Sequence, residues 1–342
     1  MAEDEIENFL RQSIPKIAVI GAGGSGSNTI THLTEMKIGV ETIAANTDAQ
    51  HLLKTKANRK IILGKKKTKG LGAGSNPSIG EAAAQEAENE IREIVSGFDL
   101  VFLTAGMGGG TGTGSLPVIA KTVKETGALC VAIVTTPFHA EGKKRMENAL
   151  TGISKLEDKV DTLIIVPNER LLDYVPDLPL TAAFKIADSV LSNAVKGISE
   201  LIIKPGLVNL DFADVRTVLE KGGNAMIGIG EISNDETKDR AVRAAEKALE
   251  SPLLDLDFSN VSRALVNITG GQDLTLGEAQ SAVSLIASRI NSDAHLIWGA
   301  TIDESFEKGE VKVLAVLTGT TQIETPKKQE KEEKEELELD FI

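Results

Sequence analysis

The stretch GMGGGTGTGS at residues 106–115 decides which fold class this chain of 342 residues can adopt. It follows the apolar run Leu100–Ala105 and precedes a helical pattern over Ser115–Glu125. Because six glycines in nine positions would weaken any strand or helix, the sequence predicts a loop here. Such a loop can offer backbone N–H groups, with Thr and Ser hydroxyls beside them, to anionic oxygens. The plain alternative is a flexible turn without a ligand.

A second glycine-rich motif, GAGGSG at residues 21–26, follows the short apolar run Lys16–Ile20. It matches G-x-G-x-x-G, which by itself is compatible with a dinucleotide site, with another phosphate site or with a tight turn. Two such loops, each at the carboxyl end of a predicted strand, favour one polyphosphate held from two sides. The sequence has no G-x-x-x-x-G-K-[ST], so phosphate binding of the P-loop type is excluded.

Strand and helix patterns alternate through the first half of the chain. Short apolar runs predict strands at Lys16–Ile20, Glu41–Ala45, Lys60–Leu63, Leu100–Ala105, Ala128–Thr135 and Thr162–Val166. Helical spacing predicts helices at Ser27–Met36, Glu81–Val95 and Ser115–Glu125, with a loop over 64–80. This alternation predicts a Rossmann-like α/β domain in which helices cover both faces of a parallel sheet.

One long helix is predicted between this half and the next. Apolar residues recur at three- and four-residue spacing over Thr181–Ile203, which at 1.5 Å per residue spans roughly 34 Å. Beyond it the predicted strands are Ala225–Glu231, Arg263–Ile268, His295–Ile302 and Val311–Leu317, and the predicted helices are Thr237–Glu250 and Thr275–Ile290. The sequence therefore predicts a second, α+β domain with a mixed sheet.

Composition excludes several classes of protein. A net charge of −13 and 3% aromatic residues argue against a nucleic-acid partner, which calls for a basic face and flat side chains. Cys130 is the only cysteine, so an intrachain disulfide is impossible, as is usual in a reducing compartment. With neither a signal peptide nor an apolar run of membrane-spanning length, we expect a cytoplasmic protein. The four histidines lie far apart, so no metal site built by the protein is expected.

Several motifs resemble one known family. GGGTGTGS at 108–115 is similar to the tubulin/FtsZ signature loop, and GAGGSGSN at 21–28 resembles the first nucleotide loop of the FtsZ branch. The likeness continues in ANTDAQ (45–50), LGAGSNP (71–77), TPFHAEGKKR (136–145), PNERLL (167–172), AFKIADSVL (183–191) and NLDFADV (209–215). These motifs follow the FtsZ order and cover about residues 15–320. The resemblance implies a GTPase that polymerises head to tail.

The resemblance also implies which residues hold GTP or GDP. Those expected around the phosphates are Gly21, Gly23, Gly24, Ser25, Gly26, Gly106, Gly108, Gly109, Gly110, Thr111, Gly112, Thr113 and Gly114. Those matching the γ-phosphate loop are Ala73, Gly74 and Asn76, and those matching ribose, phosphate or base contacts are Asn28, Asn46, Glu141, Arg145, Asn168, Phe184 and Asp188. A carboxylate suits guanine because it accepts from the ring N–H and the exocyclic amine together, so Asp188 is expected to select the base.

Plain alternatives exist for these residues when each is taken alone. Residues 73–76 could be an ordinary flexible loop, and Glu141 with Arg145 could be a surface ion pair worth about 0.3–0.5 kcal/mol. Asp188 could be a polar position on the solvent side of the long helix. The resemblance favours the nucleotide roles over these alternatives.

The segment 209–215 resembles the catalytic loop of the family, which implies a catalytic role for Asn209, Asp211 and Asp214. Asp211 could instead cap a helix, with Asp214 favouring its positive end. The long helix is expected to keep these acids far from the nucleotide of their own chain, so that they act on the GTP of a neighbouring subunit. Mg²⁺ is expected to be held mainly by the nucleotide phosphates.

The expected domain organisation has five parts. They are an acidic N-terminal extension (1–14), a GTP-binding domain (15–180), a central connecting helix (181–205), a C-terminal α+β domain with the catalytic loop (206–320) and a charged, disordered tail with a terminal peptide (321–342). The resemblance implies that the tail reaches membrane-tethering and division-regulating proteins, without inserting into the membrane itself, and that the protein gathers at the mid-cell division ring. The ending LELDFI differs from the usual bacterial terminal peptide, which favours an archaeal-type member.

Two other functions are alternatives to a polymerising GTPase. An NAD-dependent oxidoreductase would use GAGGSG, with Asp48 on the ribose, but leaves the second glycine loop unexplained. A nucleotide-binding scaffold that does not hydrolyse GTP would lack catalytic acids, whereas this sequence has both Asp211 and Asp214.

Overall fold

A computed structural model describes residues 14–172, 180–204, 206–208, 210–233, 237, 239–254 and 258–319, with only the backbone described at 180 and 181. The predicted catalytic residue Asn209 lies outside the described residues. So do most of the predicted N-terminal extension and the whole of the predicted tail.

The strands are β1 Ile17–Ala22, β2 Glu41–Asn46, β3 Arg59–Ile62, β4 Leu100–Gly106, β5 Leu129–Thr136, β6 Thr162–Pro167, β7 Gly223–Ile232, β8 Arg263–Gly270, β9 His295–Ile302 and β10 Val311–Thr318. The helices are α1 Gly23–Met36, α2 Ala49–Lys54, α3 Pro77–Glu86, α4 Glu88–Val95, α5 Thr111–Glu125, α6 Lys143–Glu157, α7 Asn168–Leu171, α8 Leu180–Ile203, α9 Phe212–Leu219, α10 Arg240–Leu249 and α11 Leu276–Arg289. A 3₁₀ turn spans His139–Glu141.

The ten strands form one sheet in the order β3-β2-β1-β4-β5-β6-β7-β10-β8-β9. Strands β1 to β6 pair in parallel, and β7 extends the parallel part of the sheet through a short contact with β6. β10 is antiparallel to both β7 and β8, whereas β9 is parallel to β8. The predicted parallel sheet and mixed sheet are both confirmed, and they join edge to edge. In the order 3-2-1-4-5-6, ligands bind outside the carboxyl ends of β1 and β4.

Alternating side chains of the parallel strands enter two separate cores. In β1, Ile17 and Val19 pack on one face of the sheet, while Ala18 and Ile20 pack on the other. Both sets are buried because helices cover both faces. This arrangement explains why the strands appear in the sequence as continuous apolar runs.

Helix α8 lies along the same face as α1 and packs against it. Its buried apolar positions are Ala183, Ala187, Leu191, Ala194, Val195, Ile198 and Leu201, at helical spacing. Near its start Asp188 contacts Ser25 of α1, and near its end Ile203 lies by Gly39, beyond the far end of α1. The helix therefore extends roughly 22 Å from Asp188 to Ile203.

Helix α9 lies at the amino ends of the parallel strands, whereas the glycine-rich motifs lie at their carboxyl ends. The hydroxyl of Thr162, the first residue of β6, donates to the carbonyl of Leu219, the last residue of α9. Arg263, the first residue of β8, donates to the carbonyls of Thr217 and Glu220. Because β6 is parallel to β1 and β4, its amino end lies across the sheet from their carboxyl ends.

Several predicted element boundaries are wrong. The single helix predicted over Glu81–Val95 is two helices, because the backbone breaks at Ala87 (φ −97°, ψ 7°), and the first begins at Pro77 inside the predicted loop. Helices α2, α6 and α7 were not predicted. Phe184 shares the apolar spacing of the long helix but is 39% exposed.

Candidate functional site

The two glycine motifs meet at the carboxyl ends of β1 and β4. A Cβ placed on Gly23 would lie 2.9 Å from the backbone N of Gly112, and one on Gly106 would lie 2.9 Å from the Cβ of Ser25. The predicted loops are short, because α1 already begins at Gly23 and α5 at Thr111. Each motif therefore ends a strand and forms the first turn of a helix, where backbone N–H groups have no partner within the helix.

The glycines of these motifs fall into two kinds. A Cβ on Gly26 would lie 2.7 Å from the carbonyl oxygen of Thr104, and one on Gly114 would lie 2.0 Å from that of Pro77, so packing requires these glycines. In contrast, the nearest atom to a Cβ on Gly24 would be 3.6 Å away, and on Gly109 it would be 3.9 Å away. Internal packing does not explain why Gly24 and Gly109 lack side chains. Their bare backbone fits the close approach of a phosphate group.

The predicted γ-phosphate loop packs against the second motif. A Cβ on Gly110 would lie 2.7 Å from the backbone N of Asn76, and Ala73 is buried beside it. Gly74 and Ser75 both have positive φ, at 55° and 57°. The Asn76 side chain accepts from the Ser78 backbone N–H at 3.0 Å and caps α3. The loop is therefore fixed at both ends and strained at its tip.

Asn148 of α6, which the sequence analysis did not single out, bridges these two segments. Its amide lies 3.4 Å from the carbonyl oxygen of Ser75 and 3.4 Å from that of Gly108. Beside it lies a cavity of about 430 Å³, lined in part by Asn76, Arg145 and Asn148. No local sequence pattern indicates such a bridge, since its partners lie 73 and 40 residues away.

Glu141 and Arg145 form the ion pair that their spacing predicts, and Arg145 also lies against the second glycine motif. The second oxygen of Glu141 accepts from the Phe138 backbone N–H at 2.9 Å. A Cβ on Gly108 would lie 2.8 Å from the Arg145 carbonyl, and the Arg145 guanidinium is the nearest group to Gly109. The guanidinium therefore places a positive charge at the rim of the second motif.

Three further predicted nucleotide residues have side chains that form hydrogen bonds to other residues of the protein. Asn46 is buried and its amide donates to Ser27 at 3.4 Å. The hydroxyl of Thr111 shares a hydrogen bond of 2.6 Å with that of Thr47, and the hydroxyl of Thr113 accepts from the Gly108 backbone N–H at 2.8 Å. These contacts brace the site, and direct contact of the three side chains with phosphate stays a prediction.

Asp188 lies where α8 meets the first motif. Its carboxylate accepts from the Ser25 hydroxyl at 3.2 Å. Burial raises the pKa of Asp188 to about 6, while hydrogen bonds from Ser25, Asn28 and Thr29 oppose this rise. A carboxylate held in such a partly desolvated place gains from a ligand that donates two hydrogen bonds to it.

Two further predicted residues lie at this end of the site. The ring of Phe184 meets that of Phe138 edge to face, with centroids 5.2 Å apart, and remains exposed on its other side. Asn168 is 5% exposed, and its side-chain carbonyl oxygen is buried without a hydrogen-bond partner in the described part of the chain. An orphaned acceptor of this kind is rare in a folded protein and fits a ligand that donates to it.

His51 of α2 also belongs to this part of the site, although the sequence analysis did not name it. Its Nε2 lies 3.3 Å from the Oδ1 of Asn28, and its ring is the nearest group to Gly24. Its position directly after ANTDAQ (45–50) is the one sequence signal that could have indicated it.

Asp211 and Asp214 form a reciprocal cap at the start of α9. Asp211 accepts from the backbone N–H of Asp214 at 2.8 Å, and Asp214 accepts from that of Asp211 at 3.2 Å. Each carboxylate uses one oxygen in this capping box, so the helix-cap alternative describes a real contact. The structure does not bring either acid to the glycine motifs of its own chain, since α9 lies at the opposite edge of the sheet.

Within the described ranges, no helix is long and apolar enough to cross a membrane, and no group of three or more His, Cys, Asp or Glu side chains is arranged to hold a metal ion.

Comparison with known proteins matches two family models along this chain. Residues 16–176 match the GTPase domain of the tubulin/FtsZ family, and residues 223–321 match the C-terminal domain of the FtsZ family. The chain is 54% identical over 318 residues to "Cell division protein FtsZ 1" of Archaeoglobus fulgidus, covering 93% of this chain and 85% of that protein. The corresponding protein of Methanocaldococcus jannaschii is 53% identical over 318 residues, covering 93% and 86%.

A solved structure has the same fold. An empty FtsZ dimer of M. jannaschii superposes with a TM-score of 0.88 at 53% identity, covering 93% of this chain and 92% of that one.

Proposed function

The chain belongs to the tubulin/FtsZ family and is a GTPase, and we propose that it assembles head to tail into filaments in which each GTP is hydrolysed between two subunits. One observation carries the proposal most directly. The nucleotide motifs lie at the carboxyl edge of the parallel strands, whereas Asp211 and Asp214 begin a helix at the amino edge. A site divided in this way is completed when subunits stack with the same orientation.

The phosphates of GTP would lie against the open backbone of Gly24 and Gly109, with the Arg145 guanidinium beside them. Support comes from the space at both glycines, which packing leaves unfilled. The guanine would lie near Asp188 and Asn168, with Phe184 stacking on it. Support comes from the partly buried carboxylate and from the orphaned acceptor, since guanine offers donors to both.

Asp211 and Asp214 would act on the nucleotide of the adjacent subunit. Their mutual cap fixes the direction of both carboxylates and engages one oxygen of each, which leaves an oxygen of each to orient and polarise a water for attack on the γ-phosphorus. Asn209 would join them, as its match to the family loop suggests. Mg²⁺ bound through the phosphates would spread their negative charge. A subunit without a neighbour would hydrolyse GTP slowly, because it lacks these acids.

The cellular role follows from the relatives. The similar archaeal proteins carry the name cell division protein, so we place this chain in a division ring at mid-cell, in the cytoplasm. Residues 321–342 would contact membrane-tethering and division-regulating proteins. Their charged sequence, ending in alternating acidic and apolar residues, suits a peptide that binds a partner protein better than an anionic membrane.

The proposal is tested by measuring phosphate release and light scattering against protein concentration after GTP is added. The wild type is expected to show a threshold above which scattering and the release rate per subunit rise together. Asp211→Asn keeps an N-cap side chain but removes the charge, so we expect assembly with release slowed at least about a hundredfold.

Two control variants separate catalysis from folding. Asp211→Ala also removes the cap and should lose about 1 kcal/mol of stability, which Asp211→Asn should keep. Asp239→Asn changes an exposed aspartate at the start of α10 and should leave the release rate unchanged. A release rate per subunit that is independent of concentration, or full activity in Asp211→Asn, would contradict the proposal.

A further inference from the structure

We propose that His51 is a positioning residue for guanine recognition, which acts by fixing the side-chain amide of Asn28 against Asp188. The inference rests on the proposed binding of a guanine nucleotide at this site. It adds a residue of α2 to a base site that otherwise draws on α1, α7 and α8.

The backbone of His51 is anchored at both its N–H and its carbonyl. Its N–H donates to the Asp48 carboxylate at 3.0 Å, which caps α2. Its carbonyl accepts from both the backbone N–H and the hydroxyl of Thr55, at 3.1 and 3.0 Å. With both backbone groups engaged, the Cα of this half-buried histidine is fixed, and its ring projects towards α1.

Asn28 lies between the His51 ring and the Ser25–Asp188 contact. The Oδ1 of Asn28 lies 3.3 Å from the Nε2 of His51, so the ring donates to the amide carbonyl. The amide N–H₂ of Asn28 then faces away from His51. Asn28 lies about one helical turn beyond Ser25, whose hydroxyl donates to the Asp188 carboxylate at 3.2 Å, and hydrogen bonding from Asn28 is one of the causes that oppose the rise in the pKa of Asp188. These contacts link α2 through α1 to α8.

The direction of this chain determines what Asp188 can do. If the Asn28 amide turned over, its carbonyl would face the Asp188 carboxylate, and two acceptors would repel each other. The carboxylate would move or take up a proton, and either change removes an acceptor that guanine requires. Loss of the His51 donor leaves the Asn28 amide held only at its Asp188 end, so that it can move away from the carboxylate, and the predicted defect concerns selectivity for the base.

The location of the ring supports a role at the nucleotide. Two atoms of the ring would lie 3.6 and 3.7 Å from a Cβ on Gly24, and beyond the adjacent residues and the backbone of α1 itself, no other heavy atom of the described residues lies within 4 Å of that point. The ring therefore stands at the rim of the first glycine motif, beside the space that packing leaves open. A histidine with a purely structural role in α2 would not require this orientation.

The test measures the affinities of GDP, IDP and ADP by equilibrium titration, since diphosphates avoid turnover. His51→Phe keeps a ring without a donor, and His51→Ala removes the ring. Both are expected to bind GDP about fivefold more weakly and to leave ADP unchanged, so that the GDP-to-ADP preference falls by the same factor. His51→Gln restores an N–H donor at a similar reach and should recover most of the preference.

His32→Ala is the matched control, because His32 also links α1 to α8, with its Nδ1 3.2 Å from the Ser192 hydroxyl, but lies about one turn beyond Asn28 along α1. It should leave both affinities unchanged. Equal loss of GDP and ADP binding in the His51 variants, or no recovery in His51→Gln, would overturn the inference while leaving the proposed function intact. Failure of the wild type to bind GDP would overturn both.

Discussion

Lowering the pH should weaken guanine nucleotide binding through Asp188 before it affects the fold. Burial raises the pKa of this carboxyl to about 6 in the free protein. Guanine donates two hydrogen bonds to the ionised form and stabilises it, so binding should lower the pKa. The acid form has one hydroxyl in place of an acceptor and cannot receive both donors. Affinity should therefore rise with pH through this range.

The magnitude follows from the ionised fraction. At about pH 8 nearly all Asp188 is ionised, whereas at about pH 5 roughly a tenth is, given a pKa near 6. The dissociation constant of GDP should thus increase about tenfold between these values, with the bend near pH 6. The stability of the folded protein depends on pH in the opposite direction from GDP affinity. With its raised pKa, Asp188 binds a proton more tightly in the folded, nucleotide-free protein than in the unfolded chain. Through this group, the stability of the free protein should fall as pH rises from about 4 to about 6.

Calorimetric titration with GDP across this range in two buffers of different ionisation enthalpy measures both affinity and proton release. Because the diphosphate itself titrates nearby, Asp188→Asn is the control, expected to bind weakly and to show only the pH dependence of the ligand. The reasoning would be refuted if wild type and Asp188→Asn had parallel pH profiles. A wild-type affinity that is flat from about pH 8 to about pH 5 would refute it equally.

Three further substitutions separate binding from folding. Gly24→Ala should leave the free energy of unfolding unchanged or raise it by about 0.5–1 kcal/mol, since the methyl group has room in a helix. The same change should weaken GDP binding at least about tenfold. Gly26→Ala should instead lower the melting temperature, because its Cβ would meet backbone at 2.7 Å. Asn168→Ala should change the stability of the free protein little, because it deletes an acceptor that has no hydrogen-bond partner in the described part of the chain. It should weaken GDP binding about fivefold or more. Equal effects of the two glycine changes on stability, or an unchanged GDP affinity in Asn168→Ala, would count against the site described here.

Much of the fold could be predicted because its signals are local. Continuous apolar runs such as Leu100–Ala105 predict buried parallel strands, and all ten predicted strands are present within a few residues. The long helix was found from its apolar spacing. Helix α6 could have been found as well, since Met146, Ala149, Ile153 and Leu156 recur at helical spacing.

Other features depend on contacts between distant segments. Glycine has a low helix propensity, yet Gly23 and Gly112 lie in first helical turns because the two motifs pack directly on each other. The bridging role of Asn148 and the link from His51 to Asn28 each join segments at least 23 residues apart. The sequence also gave no reason to distinguish Gly24, which packing leaves open, from Gly26, which packing requires.

The central claim is that one catalytic site needs two subunits, and mixing two inactive variants tests it most directly. Gly24→Leu fills the phosphate space but keeps the acids, whereas Asp211→Asn keeps the nucleotide site. Each alone should release little phosphate. In an equimolar mixture that sedimentation shows to co-assemble, half of the nucleotide sites and half of the acid pairs are intact, so about a quarter of the wild-type rate should return. A co-assembled mixture as inactive as its components would contradict the account.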